Sequence, residues 1–387
     1  MSKWSVTTLS DVTTVVVGST PKTGVDEYWN GEYNWVTPAE LKDTIFVINN
    51  TERKITEKAI KDTSLRSLPI GTVLLSSRAP IGKVAIAGAE MYCNQGFKNL
   101  ICSEKIFNKY LFWFLKGKTE FLNSLGRGAT FKEISKAIVE KIQIPLPPLE
   151  TQKQIAKNLD TAADLLAMRK QLLAELDNLI KSIFYDMFGD PVTNEKGWVV
   201  STVDRVCSTI MGGGTPSKSH SEYFIGAIPW VTPKDMKTIC IKDSIDHINE
   251  NAVKNSSANL IPSGSILMVI RSGILKRSLP LAINTVDIAI NQDMKAFITS
   301  EKVEAEYLLY FFMLMQNNIL KNVRAVTADN VEFSLIKNLI IPVPPINLQT
   351  KFAEIVTKIE EQKALVKKAI DETQYLFDSL MSEYFEC

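Results

Sequence analysis

The sequence is one pattern written twice, and that duplication limits the possible folds more than any other feature. Trp4-Ser5-Val6 opens the first copy and Trp198-Val199-Val200 the second. Gly18-Ser19-Thr20-Pro21 returns as Gly213-Gly214-Thr215-Pro216, and Trp35-Val36-Thr37-Pro38 returns unchanged as Trp230-Val231-Thr232-Pro233. Tyr28 matches Tyr223, Arg78 matches Arg271, and Asn94-Gln95 matches Asn291-Gln292. Pro145-Leu146-Pro147-Pro148 matches Pro342-Val343-Pro344-Pro345, with Gln152 and Gln349 following. The order never changes and the offset drifts only from 193 to 197, so the landmarks are a true internal repeat. Between them the copies diverge: residues 72–93 and 265–290 share only a hydrophobic pattern. Two modules doing one kind of job on two targets would look like this, as would drift after duplication.

Each copy reads as a mixed α/β module followed by a long helix. Short β-branched segments predict strands at 12–17, 72–75, 84–87 and 142–144, and at 206–211, 265–270, 281–283 and 339–341. Residues 109–117 and 305–315 predict amphipathic helices whose aromatics belong to the core, and Trp35 and Trp230 are read as core too. The Gly212-Gly213-Gly214 run lacks the spacing of a phosphate loop and predicts a turn. The proline runs end each module, because proline fixes φ and removes a donor.

Beyond the prolines lies the clearest periodicity. Ile155, Leu159, Ala162, Leu166, Arg169, Leu173, Leu176, Ile180, Ile183 and Met187 recur in steps of four and three. Their mates 197 residues on are Phe352, Val356, Ile359, Lys363, Val366, Ile370, Thr373, Phe377, Leu380 and Tyr384. This is a coiled-coil seam held in register in both copies. A helix of ~35 residues spans about 50 Å and would be costly to leave with its stripe exposed. The simplest partner for each is the other, run antiparallel, which would put the modules at opposite ends about a pseudo-twofold axis. Parallel pairing, or pairing with another subunit, stays open. The expected domains are 1–148 and 194–345 for the modules, and 149–193 and 346–387 for the helices.

Residues 1–148 carry a net charge of +5 and 149–193 a net −2; 194–345 carry +1 and 346–387 carry −3. Positive excess on the modules is compatible with phosphate contact, and equally with ordinary solvated surface. Cys93, Cys102, Cys207, Cys240 and Cys387 have no CxxC spacing, which argues against a disulfide framework or a zinc site. No apolar run is long enough to span a bilayer, and the start lacks a secretion signal, so a cytoplasmic protein is expected. The two histidines, His220 and His247, both lie in the second copy, so neither looks essential to a shared task. The sequence holds no HExxH, GxSxG, Walker A or catalytic Asn/Asp-Pro-Pro-aromatic pattern. A binding protein without catalysis, metal or cofactor of its own is favoured.

The ordered landmarks, twice over, resemble the DNA-specificity subunits of Type I restriction–modification systems, across essentially the whole chain. The resemblance implies an α+β fold with two target-recognition domains, each reading one half of a split double-stranded DNA sequence. The long helices would form an antiparallel coiled coil that spaces the half-sites. Partners would be two DNA-methylation subunits and the restriction and translocation subunits of a phage-defence complex. S-adenosylmethionine, ATP and magnesium would sit on those partners.

Base readout needs side chains that differ between modules, and phosphate contacts fix register. The candidates are Lys22, Arg78, Lys83, Lys98 and Arg127 in the first copy. In the second they are Lys218, Lys234, Arg271, Lys276, Arg277, Lys295 and Arg324. Arg78 and Arg271 match, as do Arg127 and Arg324, and matched arginines suit phosphate better than different bases. Two other readings survive: a DNA-modifying enzyme with an unrecognised site, and a coiled-coil scaffold without a nucleic-acid role.

Overall fold

The computed structural model describes residues 4–42, 46–63, 65–78, 80–128, 132–321, 324–325 and 329–385, with the side chains of 324, 325 and 329 outside that description. In the first module a five-stranded sheet runs in the order Thr13–Val17, Lys98–Cys102, Val73–Leu75, Val84–Ala87, Val47–Ile48. Alternation along its strands sorts side chains to two faces. Val73 and Leu75 enter one cluster with Val84, Ile86 and Leu100, while Leu74, Ala85 and Ala87 enter another. Both faces are therefore buried, which explains the near-continuous apolar runs. A smaller sheet orders Lys54–Ile55, Trp29–Val36, Met91–Cys93, its last pair parallel.

The second module repeats the plan. Its five-stranded sheet runs Cys207–Gly212, Met294–Thr299, Ile266–Val269, Leu281–Asn284, Cys240–Ile241. A four-stranded sheet holds His247–Ile248, Ile228–Val231, Ile288–Ile290 and Leu260–Ile261. The aromatic helices Asn108–Gly117 and Ala305–Leu320 bury Tyr110, Trp113, Tyr307 and Phe311 in their cores, as the sequence predicts.

Each module closes on its Pro-rich strand, Gln143–Pro145 against Val6–Thr8 and Ile340–Pro342 against Val200–Thr202. There Tyr110 donates its hydroxyl to the Pro145 carbonyl (2.8 Å), and Tyr307 donates to Pro342 (2.7 Å). The matched glutamines tie down the helix starts. Gln152 Nε2 donates to the carbonyls of Lys105 (3.0 Å) and Pro147 (2.8 Å), and Gln349 Nε2 to those of Lys302 (3.2 Å) and Pro344 (2.7 Å). Both glutamines are fully buried, so these bonds satisfy groups that would otherwise cost free energy.

The central helix is Leu149–Phe188 and the C-terminal helix Ile346–Phe385, each 40 residues. The chain divides into two compact units, 1–170 with 368–387, and 171–367. Each unit therefore contains one module, the start of its own helix and the end of the other. Within each, the helices run antiparallel. In the first unit Asn158 donates to Tyr384 (3.1 Å), and Arg169 donates to Thr373 and to the Ala369 carbonyl. In the second, Phe184 and Phe188 pack edge-on against Phe352, their ring centroids 5.6 and 5.3 Å away. Of the predicted seam, Ile155, Leu159, Ile180, Phe352, Val356 and Ile359 are buried. Leu166, Leu173, Leu176, Ile183, Val366, Ile370, Phe377 and Leu380 are half-buried.

The two polar breaks in the C-terminal stripe are buried as well. Thr373 accepts from Arg169, and Lys363 Nζ meets Asp177 and Glu360, each at 2.6 Å. Burial alone would lower the Lys363 pKa, but its hydrogen bonds to the two carboxylates outweigh that and raise it. A buried charge is tolerated when it is paired and costs several kcal/mol when it is not. Asp177→Ala with Glu360→Ala should therefore destabilise the protein by about 3 kcal/mol, with most of the loss recovered on adding Lys363→Met. Thermal unfolding checks this; a double variant as stable as the original would contradict it.

Candidate nucleic-acid interface

The repeated landmarks converge on one framework knot per module. A Cβ on Gly18 would lie 1.8 Å from the Asn94 carbonyl oxygen, and one on Gly213 would lie 2.1 Å from that of Asn291. Only glycine lets the two segments meet. Thr20 then donates to Gln95 Oε1, and Thr215 to Gln292 Oε1. Trp35 Nε1 donates to the Ser19 carbonyl (3.2 Å) and Trp230 Nε1 to that of Gly214 (3.1 Å). Both tryptophans are buried, as the sequence reading expects. Thr37 and Thr232 bond the carboxylates of Glu40 (2.9 Å) and Asp235 (2.8 Å). The matched glycine, threonine, tryptophan and glutamine residues therefore hold the frame.

Several candidates gather beside this knot. In the first module Arg78 and Arg127 both form backbone bridges with Glu133. The Glu133 carboxylate takes Lys98 Nζ at 2.9 Å, and Ser77 takes it at 3.1 Å. Lys98 is only 4% exposed, so it braces this hairpin from inside instead of presenting its charge outward. Lys83 is half-buried, its backbone N–H on Ser76 Oγ (2.9 Å). Arg78 is half-buried and Arg127 exposed.

In the second module the same bridge joins Arg271 to Asn330, and Arg324 pairs with Asn330 through its backbone. The Arg324 side chain lies outside the described residues. The carboxylate now comes from elsewhere: Asp293 Oδ1 accepts Arg271 Nε at 2.6 Å and Nη2 at 2.5 Å. Lys295, the mate of Lys98, sits 4.9 Å from the Phe333 ring centroid. Lys276 and Arg277 are exposed at the end of the short turn Gly273–Lys276. Lys22, Lys218 and Lys234 are exposed on separate loops. Lys234 pairs with Asp246 at 2.7 Å, and this hydrogen bond raises its pKa.

Glu133, Asp293 and Phe333 escape a search for cations, yet they decide what each cation can do. The signal was available: Glu133 and Asn330 each stand six residues after a matched arginine, and Asp293 replaces Gly96 beside the Asn-Gln landmark.

Among the described residues no cluster of His, Cys, Asp and Glu could hold a metal ion. Burial pushes the thiols of Cys93, Cys102 and Cys207 up to about 12, far from the thiolate that nucleophilic chemistry needs. No described helix is long and apolar enough to cross a membrane.

The model of the Type I restriction modification DNA specificity domain matches this sequence twice, at residues 1–178 and 195–374. The chain belongs to the family of Type I restriction–modification specificity subunits. It is 33% identical to the Type I restriction enzyme MjaIX specificity subunit of Methanocaldococcus jannaschii over 98% of this chain and 91% of that one. The EcoR124I/EcoR124II specificity subunit of Escherichia coli is 35% identical over 59% of this chain and 57% of that one. In fold, the crystal structure of a Type I S subunit from M. genitalium superposes with a TM-score of 0.64 at 15% identity, covering all of this chain and 96% of that one. The resemblance read from the repeated landmarks is thereby met, together with the two mixed modules and paired helices it implies. In this specificity-subunit fold the knot is framework: Gly213→Ala should cost ~3 kcal/mol of stability, whereas Lys218→Ala on the adjoining exposed loop should stay within about 0.5 kcal/mol. Equal shifts in thermal unfolding would contradict the framework assignment.

Proposed function

We propose that this chain is the specificity subunit of a Type I restriction–modification complex in the cytoplasm, reading a bipartite DNA target and directing methylation and restriction subunits to it. The observation that carries the reading is the double match to the DNA specificity domain, one per module. In this reading 1–148 and 194–345 are the two target-recognition domains, and 149–193 and 346–387 are the spacer between half-sites. The chain performs no catalysis. S-adenosylmethionine, ATP and magnesium belong to its partners in this reading.

The candidate cations divide by environment. Arg78, Arg127, Lys276, Arg277, Lys22 and Lys218 are proposed to face phosphate or base edges. Lys98 is proposed as a brace, because a buried ammonium already bound to Glu133 and Ser77 has little to offer a ligand. Lys234 is offset by Asp246.

Two measurements on the complex reconstituted with its methylation subunits test this. Exchanging 194–345 for the corresponding module of a relative with a different target should change one half-site and leave the other intact; a change in both halves would contradict modular reading. Arg277→Ala should weaken binding to matched and unmatched DNA alike and lower the salt slope by about 0.9, the value for one lost phosphate contact. An unchanged slope would remove Arg277 from the interface.

A further inference from the structure

Arg271 is the end of a chain of fixed side chains. Asn291 Nδ2 donates to Asp293 Oδ2 at 3.1 Å, and Asp293 Oδ1 accepts from Nε and Nη2 of Arg271 at 2.6 and 2.5 Å. The backbone locks the same corner: the N–H groups of Ile270 and Arg271 donate to the Asp293 carbonyl at 2.8 and 3.2 Å, and the Asp293 N–H donates to Asn291 Oδ1 at 3.1 Å. The guanidinium is thus gripped along its Nε–Nη2 side. Arginine carries five N–H donors in one rigid plane, so donors remain at its terminal edge. The side chain is 47% exposed.

We infer that Arg271 reads a guanine edge in the second half-site, and that Asp293 is its positioning residue. The inference rests on the proposal that the chain reads DNA. Three observations favour base readout over a phosphate grip. The first is charge. Asp293 offsets the guanidinium's positive charge, which weakens attraction to phosphate but leaves the paired donors that match guanine O6 and N7. The second is orientation. A bidentate match needs a fork held in plane, and a side chain already immobilised loses less entropy on binding; a base edge offers that fork one plane only, whereas the tetrahedral oxygens of a phosphate accept it in several. The third is the comparison between copies. In the first module Ser77 N–H donates to the Gly96 carbonyl at 2.8 Å, and Gly96 N–H to Asn94 Oδ1 at 2.9 Å, so the backbone corner is the same. Yet Gly96 stands where Asp293 does and offers Arg78 no carboxylate. A carboxylate present at this corner in only one copy is a difference between the modules of the kind that two different targets require. Stability does not explain it, because an ion pair this exposed contributes little.

The test is competitive binding of the reconstituted complex to duplexes with the second half-site randomised. The unaltered chain should prefer guanine at one position there. Arg271→Lys keeps the charge but not the fork, and should reduce that preference about tenfold or more, with the first half-site and the salt slope unchanged. Asp293→Asn should reduce the same preference while strengthening binding to unmatched DNA, because it releases the arginine's charge. A second half-site without a guanine preference, or one that keeps it in Arg271→Lys, overturns the inference. So does an Arg271→Ala variant that weakens all sequences equally and lowers the salt slope by about 0.9, which marks a phosphate contact. Those outcomes leave DNA reading intact. An unaltered complex with no sequence preference at all overturns that reading itself.

Discussion

The structure depends on burying the stripes of two long helices that cannot stand alone. A module with its own helix would leave the far half of that helix exposed, a cost no 40-residue amphipathic helix can carry in water. The chain resolves this by making the folded unit different from the repeated one. Each unit's core takes side chains from the start of one helix and the end of the other. In the first, Ile155 and Leu159 share a cluster with Phe385; in the second, Phe184 and Phe188 share one with Phe352. Neither repeat could complete its core with its own residues, so the register of the helices and the integrity of the modules are one property. The polar seam positions reinforce it. Arg169 with Thr373, and Lys363 with Asp177, are matched only in the pairing seen here, since their mates in the other copy are Val366, Leu176, Leu166 and Gln374.

Duplication has separated frame from readout. The glycine, threonine, tryptophan and glutamine landmarks make the same contacts in both modules, down to the same acceptor atoms. What changed is how carboxylates are dealt out around the arginines. The first module places Glu133 on the hairpin, where it binds Lys98; the second places Asp293 on the neighbouring corner, where it binds Arg271. An acid in one place braces Lys98 and an acid in another holds Arg271, over sheets of the same strand order. Under the proposed function, one fold serves two different half-sites by this means.

Much of this was legible in the sequence because it is periodic or repeated. Heptad spacing predicts the seam from Ile155 to Met187 and its mate, and the offset of 197 predicts their register. Three strands of each five-stranded sheet show up as apolar segments because both sheet faces are buried; Lys98–Cys102 and Met294–Thr299, which carry buried or half-buried lysines, and the two-residue strands Val47–Ile48 and Cys240–Ile241 do not. Nor do the smaller sheets. Trp29–Val36 reads Trp-Asn-Gly-Glu-Tyr-Asn-Trp-Val; its aromatics alternate with polar residues, but Gly31 and the asparagines read as turn signals, and it forms a strand because Met91–Cys93 pairs beside it from far along the chain. Lys98 was legible as a cation but not as a brace, since its burial comes from Glu133, 35 residues away. Charge alone does not separate a residue that holds the frame from one that meets a ligand; its tertiary partner does.

The central claim is that two modules on one frame read two separate short sequences. Mapping methylated bases across the host genome, with this chain present and with it deleted, tests that most directly. The account predicts modified sites sharing two short sequences at one fixed separation, all lost on deletion. Methylation unaffected by the deletion, or confined to one uninterrupted sequence, would contradict it.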